Sequence, residues 1–205
     1  MRYIYLNLIA FFGFIFTYLA FHYGYFLNIN NFIANIPRTD FLVWLFFFVT
    51  DLGSLVFVSI GSVFLITFLI VKGYGKEAFY IAIALLGGLT SQTIIKNILA
   101  ISRPENGLVA YSGYSFPSGH TNMATILFLS FCFYVVFKII DRKKRRLYFV
   151  ISIIVIILVG LSRVYLNAHW VSDVLAGWCL GIFWATVPMT LNNFVIFKHK
   201  FLNNV

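Results

Sequence analysis

Apolar runs, each about long enough to cross a lipid bilayer, recur along the 205-residue chain. A spanning helix needs roughly 20 mostly apolar residues. Six stretches come close to that length, at about 3–21, 52–71, 78–99, 119–140, 147–164 and 170–191. No internal repeat and no Gly/Ser-rich or Pro-rich linker separates them. The sequence therefore predicts an all-α polytopic membrane protein, with six transmembrane helices in one domain over residues 1–205.

Two details refine this prediction. The polar sequence "VTDLGS", 49–54, interrupts a long apolar stretch, and Thr50 or Asp51 is expected to cap the helix that follows. The aromatic sequence "FLVWLFFF", 41–48, is then expected to lie in the membrane interface. No small-residue cleavage site follows the first apolar run, so it is interpreted as a retained span rather than a signal peptide.

Composition and charge agree with a membrane location. The chain is 61% hydrophobic and 10% charged, whereas soluble domains carry about 25% charged residues. With a cytoplasmic N-terminus, the cytoplasmic segments hold eleven of the 15 basic and two of the six acidic residues. The positive-inside rule accounts for this asymmetry without a nucleic-acid partner. We expect a protein integral to the cytoplasmic (inner) membrane, with both termini cytoplasmic.

Cys132 and Cys179 lie in apolar runs and are interpreted as small buried hydrophobic residues.

Three polar stretches fall on the opposite, extracytoplasmic face. The first runs from Lys96, near the end of the third span, to Arg103-Pro104, and Arg163 ends the fifth span. Long cationic side chains at such positions commonly snorkel toward the interface. The alternative is that the three cations together hold an anion.

The second stretch is "SFPSGHT", 115–121, at the start of the fourth span. Ser118 can cap the helix, and Gly119 lets a ligand approach the backbone closely. Amide groups at a helix N-terminus, together with the helix dipole, bind phosphate. A plain turn and cap is the simpler interpretation. In the functional one, His120 lies beside the bound anion.

The third stretch is "LSRVYLNAHWVSD", 161–173, in which His169 and Asp173 are four residues apart. On a helix this spacing brings two side chains to the same face. The carboxylate can then accept a hydrogen bond from one imidazole nitrogen and leave the other nitrogen with its lone pair. An aspartate that stabilises a helix start beside a surface histidine is the alternative.

The three stretches together favour chemistry over isolated structural roles. Fixed cations and amide donors suit a phosphate group and its more highly charged transition state. One histidine can attack phosphorus and the other can protonate the leaving oxygen. This is phosphoryl transfer through a phosphohistidine, for which no metal or other cofactor is expected.

The chain resembles the type 2 phosphatidic acid phosphatase superfamily at these residues. Its three signature motifs occur in order, as Lys96-x6-Arg103-Pro104, Pro117-Ser118-Gly119-His120 and Ser162-Arg163-x5-His169-x3-Asp173. The resemblance implies that Lys96, Arg103, Ser118, Gly119 and Arg163 bind phosphate. It also implies that His169 is the nucleophile, that Asp173 orients it, and that His120 is the general acid.

The implied function is hydrolysis of a phosphomonoester or pyrophosphate of a membrane lipid. Undecaprenyl pyrophosphate, phosphatidylglycerol phosphate, phosphatidate and lipid A phosphates all remain possible substrates, and the oligomeric state is left open. Four aromatic residues lie near the motifs: Tyr111, Tyr114, Phe116 and Trp170. They belong either to an ordinary aromatic belt at the membrane interface or, alternatively, to the rim of the site that holds the lipid. The alternative functions are a vanadium haloperoxidase, a lipid scramblase or transporter, and a phospholipid-binding protein without catalysis.

Overall fold

The computed structural model describes residues 2–109 and 113–202, and the regular structure in these ranges is entirely helical. The helices are α1 (Arg2–His22), α2 (Leu27–Ala34), α3 (Asp40–Asp51), α4 (Leu55–Val71), α5 (Gly75–Leu99), α6 (Gly119–Phe131), α7 (Arg142–Tyr165) and α8 (Val171–Leu202). A short π-helical segment, Cys132–Val136, continues α6. The predicted all-α fold class is confirmed.

Five of the helices are long and apolar enough to cross a membrane on their own: α1, α5, α7, α8, and α6 together with its π-helical continuation. Helices α3 and α4 meet at a bend of 42° and satisfy the same criteria only as a pair. The described residues thus contain five spans, or six when the bent pair counts as one.

Several predicted boundaries were wrong. Helix α4 begins at Leu55, where the Ser54 side chain accepts a hydrogen bond from the Phe57 amide at 3.2 Å, so Ser54 is the cap rather than Thr50 or Asp51. The aromatic segment 41–48 lies within α3, a helix that packs on α7, and its location in the membrane interface stays a prediction. The basic run 142–146 is helical and opens α7, five residues before the predicted span.

Close packing between α6 and α8 fixes the centre of the bundle. Gly177 and Gly181 lie one helical turn apart on α8. A β-carbon at Gly177 would lie 2.8 Å from the Ser118 carbonyl oxygen, and one at Gly181 would lie 2.5 Å from the Thr125 β-carbon. Small residues at this spacing let two membrane helices approach each other closely. The contact brings the first turn of α8 against the first turn of α6.

A buried polar bridge joins α5 to α6. The Asn122 side-chain amide donates to Gln92 Oε1 at 2.7 Å and to the Gly88 carbonyl at 3.1 Å. Gln92 lies one turn before Lys96 on α5. A β-carbon at Gly119 would lie 3.4 Å from the side-chain nitrogen of Gln92. The bridge therefore holds the Lys96 end of α5 next to the start of α6.

Candidate active site

The three motif regions meet at one end of the bundle, where the α5–α6 and α7–α8 loops pack together. Helix α5 stops at Ala100, which adopts a left-handed conformation with φ 48°. Two loop contacts hold the connections together. The Ser115 amide donates to the Ile101 carbonyl at 2.8 Å, and the Leu108 amide donates to the Leu166 carbonyl at 3.0 Å.

His169 lies between Arg103 and Asp173 in the α7–α8 loop. Its Nδ1 is 3.1 Å from Asp173 Oδ2, and its Nε2 is 3.1 Å from a terminal nitrogen of Arg103. Both His169 and Asp173 are buried, with 3% and 0% of their surface exposed. The residues that the 161–173 motif predicted to pair are thus in direct contact.

These contacts determine which imidazole nitrogen carries the proton. A guanidinium group can only donate hydrogen bonds, so His169 Nε2 must accept the bond from Arg103. The proton of the neutral ring is then on Nδ1 and is donated to Asp173. The Nε2 lone pair therefore points at the Arg103 guanidinium.

The surroundings keep His169 uncharged. Burial, and then the positive charges of Arg163, Arg103 and Lys96, hold the pKa of His169 well below its usual range. The contact with Asp173 is therefore a hydrogen bond from a neutral imidazole. A neutral ring is the nucleophilic form.

Asp173 is held by several donors besides His169. Its Oδ2 accepts hydrogen bonds from the Ser115 hydroxyl and, at 2.9 Å, from the Trp170 amide. Trp170 directly precedes α8, so the carboxylate reaches back to the residue before its own helix, as in a capping box. The Asp173 carbonyl accepts from the Ser118 amide at 2.9 Å and so ties the carboxylate to the start of α6.

Arg163 is fully buried at the end of α7. One terminal guanidinium nitrogen donates to the Thr50 hydroxyl at 2.6 Å. Its carbonyl accepts from the Ala168 and His169 amides at 3.0 and 3.2 Å. Arg163 thus joins α3, α7 and the loop that carries His169.

Lys96 and Arg103 converge on the backbone of residues 113–115. The Lys96 ammonium donates to the Tyr114 and Ser115 carbonyls at 2.7 and 2.9 Å. Arg103 donates to the Gly113 carbonyl at 3.0 Å and to the Ala168 carbonyl at 2.8 Å. Both cations therefore lie beside the His169–Asp173 pair.

Ser118 is the residue before α6, the position predicted for a cap, but its side chain makes no capping hydrogen bond to the helix backbone, and it is completely buried. Its hydroxyl lies 2.9 Å from the Thr121 hydroxyl. Gly119 and His120 form the first turn of α6, where backbone amides have no acceptor within their own helix. A β-carbon at Gly53 would lie 2.8 Å from the His120 carbonyl oxygen, so the turn between α3 and α4 packs against His120.

Sequence reasoning missed Ser115 and the role of Thr50. Both contacts join residues far apart in the chain, and only the position of Ser115 beside the "PSGH" motif hinted at a role. Of the four aromatic residues near the motifs, Phe116 is fully buried against Phe14 and Tyr18, and Tyr111 lies outside the described residues. The Trp170 indole donates to the Ser102 carbonyl at 2.9 Å.

The described ranges contain no group of three or more His, Cys, Asp or Glu side chains close enough to hold a metal ion. The charged groups gathered around His169 are instead Lys96, Arg103, Arg163 and Asp173. This set is chemically suited to a phosphate ester.

A family model described as the PAP2 superfamily matches residues 77–196, more than half of the chain. The chain is 35% identical over 91 residues to phosphatidylglycerophosphatase B of Bacillus subtilis (strain 168), covering 43% of this chain and 45% of the relative. It is 30% identical over 125 residues to undecaprenyl-diphosphatase of Sulfolobus acidocaldarius, covering 55% and 54% of the two chains. The matches thus span about half the length of these two relatives.

Solved structures share the fold over a longer range. The crystal structure of a transmembrane PAP2 type phosphatidylglycerolphosphate phosphatase from Bacillus subtilis aligns with a TM-score of 0.74 at 23% identity, over 93% of this chain and 98% of that one. Aquifex aeolicus LpxE aligns with a TM-score of 0.66 at 21% identity, over 82% and 96% of the two chains. At these identities the likeness supports the fold alone.

Proposed function

The chain belongs to the PAP2 superfamily, and on that premise we propose that it is a membrane-embedded lipid phosphatase acting through a phosphohistidine. One observation carries the proposal: His169 is held with Nδ1–H on Asp173 and with its Nε2 lone pair facing Arg103. A neutral imidazole that is oriented by a carboxylate and keeps the lone pair of its second nitrogen has the form a nucleophile needs.

In the first proposed step, Nε2 of His169 attacks phosphorus as the bond between phosphorus and the lipid oxygen breaks. His120 donates a proton to that leaving oxygen. Lys96, Arg103, Arg163 and the first turn of α6 balance the charge that develops on the phosphoryl oxygens. Asp173 stabilises the Nδ1–H of the ring, which becomes positively charged as the nitrogen–phosphorus bond forms.

In the second step, a water oxygen bonds to phosphorus and the phosphorus–nitrogen bond breaks. His120, which gave up its proton in the first step, accepts one from the water. The products of this step are inorganic phosphate and a neutral His169. When the substrate is a pyrophosphate, the leaving group of the first step is the lipid monophosphate. The cycle ends with both histidines in their starting protonation states.

An apolar groove between α4 and α6 supports a lipid substrate. Its volume is about 380 Å³, and its α4 wall is formed by Phe57, Gly61, Phe64, Leu65 and Phe68. Phe57 follows one turn after Gly53, the residue that packs against His120. We propose that the lipid tail occupies this groove while the phosphate reaches His169.

The proposed substrate class is the lipid phosphates. The names of the two relatives point to two members of this class, a phosphatidylglycerophosphate and an undecaprenyl diphosphate. Phosphatidate and lipid A phosphates fit the same chemistry.

We further propose that residues 1–205 act as one domain, with both termini cytoplasmic and the site facing outward. The distribution of basic residues supports that orientation.

The test is phosphate release by the purified protein from a panel of these lipids. We expect His169→Ala to abolish release and the wild-type enzyme to form an acid-labile phosphohistidine. His120→Ala should impair hydrolysis of the lipid more than hydrolysis of p-nitrophenyl phosphate, because nitrophenolate leaves without a proton. Near-normal turnover by His169→Ala on the best lipid would overturn the mechanism and favour a binding or transport role.

A further inference from the structure

We propose that the end of the bundle opposite the candidate active site carries a second lipid site, which binds an anionic phospholipid by its phosphate and one acyl chain. This site goes beyond the proposed phosphatase function and does not depend on it. Its polar part is a pocket of about 350 Å³ beside Lys76, Glu77, Tyr134, Lys138 and Asn192. Its apolar part is a neighbouring cavity of about 540 Å³.

The location follows from the geometry of α5. Lys76 is in the first turn of this helix, and Lys96 is in its last turn, twenty residues later. At 1.5 Å per residue the two ends are about 30 Å apart, which is the thickness of the hydrocarbon core of a bilayer. A lipid at Lys76 therefore belongs to the leaflet opposite the one that serves the active site.

The charges in the pocket favour a phosphate group. The pocket has two lysines and one carboxylate. Lys138 pairs with Glu77, and Lys76 donates to Asn192 Oδ1 at 2.6 Å. The Lys76 ammonium also lies 5.7 Å from the centre of the Tyr80 ring. The pocket thus holds one positive charge in excess, on side chains that its own contacts already position.

Tyr134 supplies an independent observation. Only 2% of its surface is exposed, its side chain is among those that line the pocket, and its buried hydroxyl has no hydrogen-bond partner among the described residues. A buried polar group without a partner is costly, and a lipid phosphate or ester oxygen would accept its proton. Tyr134 also lies in the π-helical segment Cys132–Val136, and such segments occur frequently at functional sites.

The apolar cavity adjoins this pocket, because Tyr3, Phe133 and Phe137 line both spaces. The rest of its wall comes from α1, α6, α7 and α8, through Leu6, Leu129, Phe149, Ile182 and Thr186. Its volume lies within the range of small-molecule sites, about 300–1,000 Å³. A phosphate at the lysines would therefore have its acyl chain next to a ready apolar cavity.

The experiment measures lipid binding to the full-length protein in detergent by native mass spectrometry, with phosphatidylglycerol and phosphatidylcholine of identical acyl chains. We expect a preference for phosphatidylglycerol. The double variant K76Q/K138Q should lower phosphatidylglycerol binding about 30-fold, since each basic residue near an anionic lipid contributes about 1 kcal/mol. The matched control K143Q/K144Q removes two charges at the same end of the bundle but outside the pocket, and should change binding far less than K76Q/K138Q does.

Two further variants keep the proposal falsifiable should the double variant fold poorly. Glu77→Gln removes the carboxylate that competes with phosphate for Lys138, and we expect it to tighten phosphatidylglycerol binding. Ile182→Trp fills the apolar cavity and should weaken binding without any change in charge. Equal losses in the lysine pair and its control, unchanged or weakened binding in Glu77→Gln, or unchanged binding in Ile182→Trp would each overturn the site.

Discussion

At the scale of single residues, the two nitrogens of His169 have different tasks. Nδ1 donates to Asp173, and Nε2 accepts from Arg103. Exchanging the two roles would put a proton on the nitrogen proposed to attack phosphorus. The site therefore depends on Asp173 acting as an acceptor only, which makes the chemistry of its carboxylate testable apart from its shape.

We expect Asp173→Asn to reduce phosphate release by orders of magnitude while the protein stays folded. The asparagine amide can donate to Nδ1, which shifts the ring proton to Nε2 and blocks attack. The corresponding change in a Ser-His-Asp triad costs about 10⁴-fold in kcat, a value measured in other enzymes. Phosphate release is compared with thermal unfolding in detergent. Wild-type activity in Asp173→Asn would contradict the assigned tautomer.

A second prediction concerns the protonation of His169. A pKa held below its usual range leaves the imidazole neutral as the pH falls through about 6.5, so the proposed nucleophile should stay available in mildly acid conditions. In ¹⁵N spectra of histidine-labelled protein, the signal lost in His169→Gln should be that of a neutral Nδ1–H ring at pH 6. A titration midpoint at or above 6.5 would show that burial and the surrounding cations do not control this group.

The sequence predicted the contacts of this site unevenly. The contact between His169 and Asp173 was predictable because a four-residue spacing is local. Two other contacts were not predictable. Ser115 donates to Asp173 from 58 positions away, and Thr50 contacts Arg163 across 113 positions. No pattern in one sequence identifies such pairs, since the fold alone brings them together.

At the scale of helices, the site depends on how closely α8 approaches α6. We expect Gly177→Ala to lower phosphate release and to destabilise the protein by about 1–3 kcal/mol, as overpacking typically does. The reason is that its β-carbon would lie 2.8 Å from the Ser118 carbonyl oxygen. Gly75→Ala, at the start of α5 with no atom within 4 Å of the added carbon, is the matched control. Equal behaviour of the two variants would argue against this packing role.

The groove between α4 and α6 gives a separate prediction about lipid tails. A β-carbon at Gly61 would lie 3.2 Å from Leu127, so Gly61→Phe should fill the groove. Turnover of a long-chain lipid phosphate should fall while turnover of p-nitrophenyl phosphate stays the same. Ile60→Phe, on the neighbouring exposed position, is the control. Parallel losses on both substrates would indicate damage to the site itself.

Hydropathy predicted the existence of the long helices better than their ends. It placed the start of the fifth span at 147 because it detects apolar residues, although Lys and Arg are good helix formers and α7 begins at Arg142. It missed α2, a helix of only eight residues. The sequence predicts Thr50 or Asp51 as the cap of α4, but the Thr50 hydroxyl accepts a hydrogen bond from Arg163, and Ser54 takes the capping role.

At the scale of the whole molecule, the bundle has two chemically different ends. The end with His169 also holds Arg38, whose guanidinium donates to the Tyr165 carbonyl at 3.0 Å. The other end carries Lys76, Lys138 and the basic start of α7. The sequence alone predicts this separation, because the segments that connect successive spans lie on alternate sides of the membrane. The distribution of basic residues predicts which of the two ends faces the cytoplasm.

The positive-inside rule predicts that the α7 start is cytoplasmic, because eleven of the 15 basic residues fall on that side. Asn106 and Lys144 are both exposed and lie at opposite ends of the bundle. We expect a single cysteine at Asn106→Cys, in a background with Cys132 and Cys179 replaced by alanine, to react with an impermeant maleimide in intact cells. Lys144→Cys should react only after permeabilisation. Labelling of Lys144→Cys in intact cells would reverse the orientation and put the lipid phosphate site on the cytoplasmic leaflet.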